Sequence, residues 1–244
     1  MTRQLSAELL KLRSTRTTVG LVLGMVGLIL LTSLLSALLT KAPNLVSTED
    51  QRSLLSVGSL AGVFSALAGI MLVTSEYRYG TIRPTFLVTP RRSRVVGAKV
   101  AAGFLAGIVF GIAGEALGWG IAYLCLAGRG IDYALSGGQT ALLLVGTVVA
   151  TGVWGGLGVG LGTILRNQVG AIIALLAWGF VVENLVFGLV PDAGRFGPVH
   201  AQDALVGLTE KHLLHAPAGG LILVAWAAVL AVAGVSLALR RDVE

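Results

Sequence analysis

Residues 75–99 read SEYRYGTIRPTFLVTPRRSRVVGAK, which packs six basic residues, one acid, two prolines and a Gly-Thr pair into one polar interval. The chain on either side is apolar. Hydrophobic residues make up 55% of the 244 and charged residues only 12%, with a mean hydropathy of +0.86. A soluble domain carries about 25% charged residues, so this composition excludes one and reads as a membrane protein. Runs of about 20 apolar residues span a hydrocarbon core roughly 30 Å thick, and the sequence contains six, at 17–39, 54–74, 98–126, 139–165, 168–190 and 217–239. The third and fourth are long enough to imply tilt or an extension beyond the bilayer. The expected fold is therefore all-α. It has a single six-helix membrane domain over 17–244, an N-terminal segment 1–16, a polar loop at 75–97 and an external segment at 191–216.

Orientation follows from the distribution of Lys and Arg, whose excess marks the cytoplasmic side. With both chain ends inside, thirteen of the eighteen fall in the cytoplasm, and only Lys41, Arg52, Arg129, Arg195 and Lys211 lie outside. The 75–97 loop is then cytoplasmic, and Arg91, Arg92 and Arg94 set topology or meet lipid phosphates. This bias and contact with anionic lipid account for much of the +6 net charge without nucleic acid. The first apolar run exceeds the 7–15 residues of a secretory signal, so it is expected to be retained as a span. Cys125 stands alone, which excludes an internal disulfide and a Cys-based metal site and leaves it a packing role.

In 1–16, Leu5, Leu9 and Leu12 share one helical face, with Lys11, Arg13 and Arg16 elsewhere. This pattern predicts an amphipathic helix in the inner interface. Gly103, Gly107 and Gly111 in the third span, and Gly152, Gly156 and Gly160 in the fourth, form small-residue stripes that predict close packing of these two helices. Glu115 and Glu183 fall inside spans three and five. Buried acids of this kind either line or couple a transport path, or hold helices together as hydrogen-bonded groups, with Asn184 and Trp119 as candidate partners. Trp119 and Trp178 divide in the same way between cavity lining and packing. The 191–216 segment predicts one or two short helices on the outer surface. Its three histidines lack the acid or cysteine that would complete a metal site. There is no G-x-x-x-x-G-K-[ST] phosphate loop, no H-E-x-x-H and no G-x-S-x-G, so the chain is not expected to be an enzyme or to hold a cofactor itself.

The opening interval contains E-Y-R-Y-G-T-I (76–82) and L-V-T-P-R-R (87–92), with Lys99 leading into the next span. Elsewhere, A-E-L-L-K-L-R-S (7–14) precedes the first span and L-A-W-G-F-V-V-E (176–183) lies in the fifth. Together these resemble the membrane subunits of bacterial ATP-binding-cassette exporters, the type 2 permease superfamily, over essentially the whole chain. The resemblance implies a plasma-membrane permease that pairs with a second copy and sits on two separate ATPase subunits, which bind ATP and Mg. It also implies that the Glu76–Thr81 pattern docks on the ATPase, and it puts Glu76, Tyr77, Arg78, Tyr79, Gly80, Thr81 and Arg83 at that contact. The cargo class includes drugs, antibiotics, peptides and lipids, and a small amphiphile is expected. Glu115, Trp119, Trp178, Glu183 and Asn184 are then candidates for the translocation path. Two rival readings stand beside this one: a proton-coupled transporter using Glu115 or Glu183, and a membrane regulatory subunit that moves nothing.

Overall fold

The computed structural model describes residues 2–40, 45–88 and 92–240, and these are helical throughout apart from turns and short connections. Six helices are long and apolar enough to cross a membrane. In chain order, α1 (Thr2–Ser14) leads into α2 (Arg16–Leu39), the first span. The second span is composite: α3 (Thr48–Leu55), a 3₁₀ turn (Ser56–Leu60) and α4 (Ala61–Arg78). A short α5 (Ile82–Val88) precedes α6 (Arg92–Gly128) and α7 (Gly137–Leu165), spans three and four. Span five consists of α8 (Gln168–Ala177), one π-helical turn (Trp178–Val182) and α9 (Glu183–Leu189). Then come α10 (Pro191–Gly194), α11 (Pro198–Val206) and the last span, α12 (Ala216–Arg240).

Helix α1 and the last turn of α12 lie at one end of the bundle. Lys11 reaches Glu76, and Arg166 bonds the Leu237 carbonyl while its guanidinium sits over the Tyr77 ring. We call this the basic end. There α1 turns Leu5, Leu9 and Leu12 onto a cluster of Leu72, Val73, Ala102 and Val159, so the expected apolar face packs against spans two to four.

Helix α7 is the axle, packed against α4, α6, α11 and α12. Hydrophobic burial does little to join helices in lipid, so close backbone approach between small residues must do it. A β-carbon on Gly155 would collide with the Gly103 carbonyl and stand 2.8 Å from the Ser65 hydroxyl, and one on Gly158 would collide with the Ala66 carbonyl. Gly103, Gly107 and Gly111 meet α7 as their spacing predicts. Of the fourth span's expected stripe only Gly152 meets span three closely, at Phe104 and Ile108, because Gly156 is looser and Gly160 packs on Leu230 of α12; the closest approach to span three is at the unpredicted Gly155. The contact to span two falls to the unpredicted residues Gly155, Gly158 and Gly162. Ser65 Oγ adds an interhelical bond of 2.8 Å to the Thr151 carbonyl.

The second span begins earlier than its apolar run. The polar α3 is capped by Ser47, which accepts from the Asp50 amide, and its Gln51 and Arg52 are buried through specific partners. Gln51 bonds the Leu45 and Asp132 carbonyls and the Ala134 amide, and Arg52 bonds the Gly207 carbonyl.

Helix α11 corrects the expectation of an element resting on the outer surface. It begins at Gly197–Pro198 and ends in a left-handed Gly207 (φ 84°), with the Leu208 amide bonded to the Asp203 carbonyl. Pro198 shares a cavity of about 180 Å³ with Trp154, Trp178 and Trp226. Trp154 lies seventeen residues along α7 from Gly137, roughly 25 Å in at 1.5 Å per residue. The segment therefore folds back into the bundle. Ala201 and Ala204 admit Gly219 of α12 against them, contacts that a sequence pattern cannot display.

A Gly155→Ala variant is expected to unfold at a lower temperature in detergent, because overpacking costs about 1–3 kcal/mol and outweighs the ~1 kcal/mol helix-propensity gain. Gly120→Ala, with open space around it, should match or slightly exceed wild type in the same melt.

Candidate functional site

The polar interval divides at Arg78. Helix α4 runs through Glu76 and Tyr77 and stops because Gly80 takes a left-handed conformation (φ 68°), which lets the Thr81 amide bond the Glu76 carbonyl at 2.9 Å. This is a Schellman cap, and it explains the spacing of Glu76, Gly80 and Thr81. Tyr79 emerges 72% exposed with Arg78, Gly80 and Thr81 beside it, whereas Tyr77 lies inward beneath Arg166. The Arg83 side chain is outside the described residues.

Glu76 is buried rather than displayed. Lys99, 1% exposed, bonds Glu76 Oε1 and Glu8 Oε2 at 2.8 Å each and the Leu72 carbonyl at 3.2 Å. Lys11 closes the ring, 2.6 Å from Glu76 Oε1 and 3.2 Å from Glu8 Oε1. Two ammonium and two carboxylate groups thus balance, drawn from α1, the end of α4 and the start of α6. Burial works against the Lys11 charge, but its bonds to Glu76 and Glu8 raise its pKa above the usual 10.5. The stability it contributes is present below pH 10.5 and is lost only above it. Each of these four residues belongs to one of the stretches singled out in the sequence. Their convergence was not legible there, because it joins positions up to 91 residues apart.

Of the three arginines further along, Arg94 is exposed at the start of α6, Arg91 lies outside the described residues, and so does the side chain of Arg92.

Glu115 and Glu183 occupy separate settings. Glu115, 2% exposed, sits against Gly58, where the 3₁₀ turn brings span two onto span three. Neither of its oxygens has a well-formed hydrogen bond among the described residues, although the Thr147 hydroxyl stands close by. Glu183, also 2% exposed, accepts from the His200 amide at 2.9 Å and lies 3.1 Å from His200 Nδ1. Phe187 stacks on the His200 ring at 4.0 Å. Asn184 serves the π-turn instead of Glu183, donating to the Gly179 and Phe180 carbonyls. Trp119 stacks on Tyr123 and stands edge-on to Tyr133, away from the other candidates. Trp178 leans on Trp226, whose indole donates to the Phe196 carbonyl. His200 is the functional candidate the sequence did not reveal.

A crevice of about 220 Å³ opens between spans two, four and five and α11. Trp154, Phe180 and leucines form its walls, with Asn184, Gln202 and Asp203 as polar points. Burial pushes the Asp203 carboxyl up to about 7, partly offset by His200, and burial lowers the His200 imidazole below its usual value. Among the described residues no cluster of three metal-ligating side chains exists. Neither a known protein-family model nor a curated protein sequence matches the chain.

Two measurements follow from this geometry. Lys99→Met leaves two buried carboxylates facing one lysine and should cost about 3–5 kcal/mol, whereas Lys99→Met with Glu76→Gln keeps Glu8 and Lys11 paired and should recover much of that loss. A thermal-stability double-mutant cycle checks it. For Asp203, the folded chain holds its proton to about pH 7 and the unfolded chain only to about 3.8, so stability falls as pH rises between them. Asp203→Asn should melt above wild type at pH 8, with the difference closing toward pH 4.

Proposed function

We propose that the chain is the permease subunit of an ATP-driven exporter. A pair of copies would work on two separate ATPase subunits in a bacterial plasma membrane, moving a hydrophobic or amphipathic small molecule, peptide or lipid outward or between leaflets. The observation that carries this reading is the buried ring of Glu8, Lys11, Glu76 and Lys99 directly behind the exposed corner Arg78–Thr81. A push on that corner, from a partner on the side assigned to the cytoplasm, meets a rigid block made of α1 and the ends of spans two and three. Arg78 and Tyr79 supply a charged and a flat apolar contact of the kind that anchors protein interfaces. Glu76 acts behind the contact as a brace.

ATP and Mg are bound by the partner subunits and supply the energy of closure. This chain converts the resulting displacement into a shift between inward-open and outward-open packings. The crevice lined by Trp154, Phe180, Asn184, Gln202 and Asp203 suits an amphiphile, having apolar walls with a few convergent polar groups.

A second reading, proton-coupled transport, is favoured by one observation: the buried Glu115 carboxyl without a well-formed hydrogen bond. The two readings part at Glu115→Gln, which retains export in an ATP-driven permease and abolishes it in a proton-coupled one.

The decisive experiment is copurification with the ATPase after mild detergent extraction. Tyr79→Ala is expected to weaken the complex about tenfold, the effect of ~1.4 kcal/mol at an interface anchor, while membrane insertion is unchanged. An ATPase that stays bound with unaltered turnover would sink the docking assignment, and the lack of any ATPase partner would sink the exporter.

A further inference from the structure

An amphipathic recess at the basic end lies apart from the crevice and reaches the exposed corner at Arg78 and Tyr79. It has a volume of about 320 Å³ and lies where the joint between α1 and α2 meets the end of span two and the start of span five. Its wall changes character with depth. Arg16, at the first residue of α2, and Arg78, at the last of α4, stand at the mouth with the hydroxyls of Thr17 and Tyr79, and no carboxylate lines the cavity. Leu21, Met71 and Ala68 form the deep wall. At 1.5 Å per residue they lie roughly 8, 10 and 15 Å from the two arginines toward the membrane centre.

The charges at the mouth are uncommitted. Lys11 also borders the recess, but Glu8 and Glu76 satisfy it. Arg16 is exposed, with no hydrogen bond or ion pair among the described residues. Arg78 makes a 3.4 Å bond to the neutral Gln168 and lies over the Tyr79 ring, 5.8 Å from its centroid, with no carboxylate partner among the described residues. The Thr15 side chain does not cap α2 and turns back to the Leu12 carbonyl and to Thr18 instead, so the positive end of that 24-residue helix is uncapped at the same spot. Two arginines and a helix end at headgroup level, above an apolar wall one acyl segment deep, complement one kind of molecule.

We propose that this recess binds one anionic phospholipid of the adjoining leaflet. Its phosphate would lie between Arg16 and Arg78, with an acyl chain along Leu21, Met71 and Ala68. Such a lipid would bridge spans one and two beside the Glu76–Lys99 ring and fill the gap between α1 and span five. The site does not depend on what the chain transports, but it shares Arg78 and Tyr79 with the proposed docking corner, so it is tested on the purified chain with no ATPase present.

Native mass spectrometry of the purified chain, equilibrated with phosphatidylglycerol and phosphatidylcholine of matched chains, tests it. Wild type is expected to retain one phosphatidylglycerol preferentially. Near a membrane surface each arginine is worth about a fivefold factor, so Arg16→Gln and Arg78→Gln together should reduce the preference about twenty-five-fold. Arg13→Gln, exposed on α1 but outside the recess, should leave it unchanged. Inorganic phosphate and glycerol phosphate should fail to displace the lipid. The proposal is overturned if wild type shows no preference, if the double variant keeps it, if Arg13→Gln lowers it equally, or if free phosphate competes. The wild-type measurements decide the matter even if a variant folds poorly.

Discussion

A lysine ammonium almost removed from solvent, between two glutamates from distant parts of the chain, is the constraint on which the basic end depends. Lys99 sits on α6, Glu76 on α4 and Glu8 on α1, and Lys11 balances the fourth charge. Removing any one member leaves an uncompensated charge in a poorly hydrated place, so the three elements are held in one register by electrostatics as well as by leucines. The register matters because the corner beyond Glu76 is where the chain turns outward. Gly80 ends α4 sharply enough to leave Tyr79 standing free while its neighbour three residues back stays locked in.

Further from that end the adhesive changes. Spans two, three and four meet through backbone atoms, at Gly69, Gly103, Gly155 and Gly158, with the Ser65–Thr151 bond as a polar rivet. Spans one, five and six bury far less of themselves. The molecule therefore has a tight three-helix core carrying the charge ring at one end, and looser helices around it. In the proposed exporter that division assigns the core to transmit force and the looser helices to rearrange.

The six spans were legible because a bilayer demands long apolar runs and nothing else in the sequence supplies them. The start of span two was not, since Gln51 and Arg52 are polar and are buried only by partners near Asp132 and Gly207. Helix α11 reads as an ordinary short amphipathic segment, because the pockets that receive Ala201 and His200 are built by the separate helices α12 and α9, whose approach no local pattern displays. Glu76 stood out as the lone acid among basic residues, and its Gly-Thr neighbours signalled a special turn. Whether the acid faced a partner or the interior depended on Lys99 and Glu8, which no local pattern ties to it. Glu183 found His200, seventeen residues on, in place of the adjacent Asn184, whose amide is consumed by the irregular turn beneath it.

That irregular turn sets which way the far half of span five faces. Trp178–Val182 holds one residue more per loop than the helix on either side, and Asn184 quiets two of the carbonyls so exposed. Sliding such an insertion along a rod turns only the residues it passes, each by about 100°, the arc of one α-helical residue, without severing the rod. Span five thus changes the face it presents between its two halves, at the place where its far half turns Glu183 to α11.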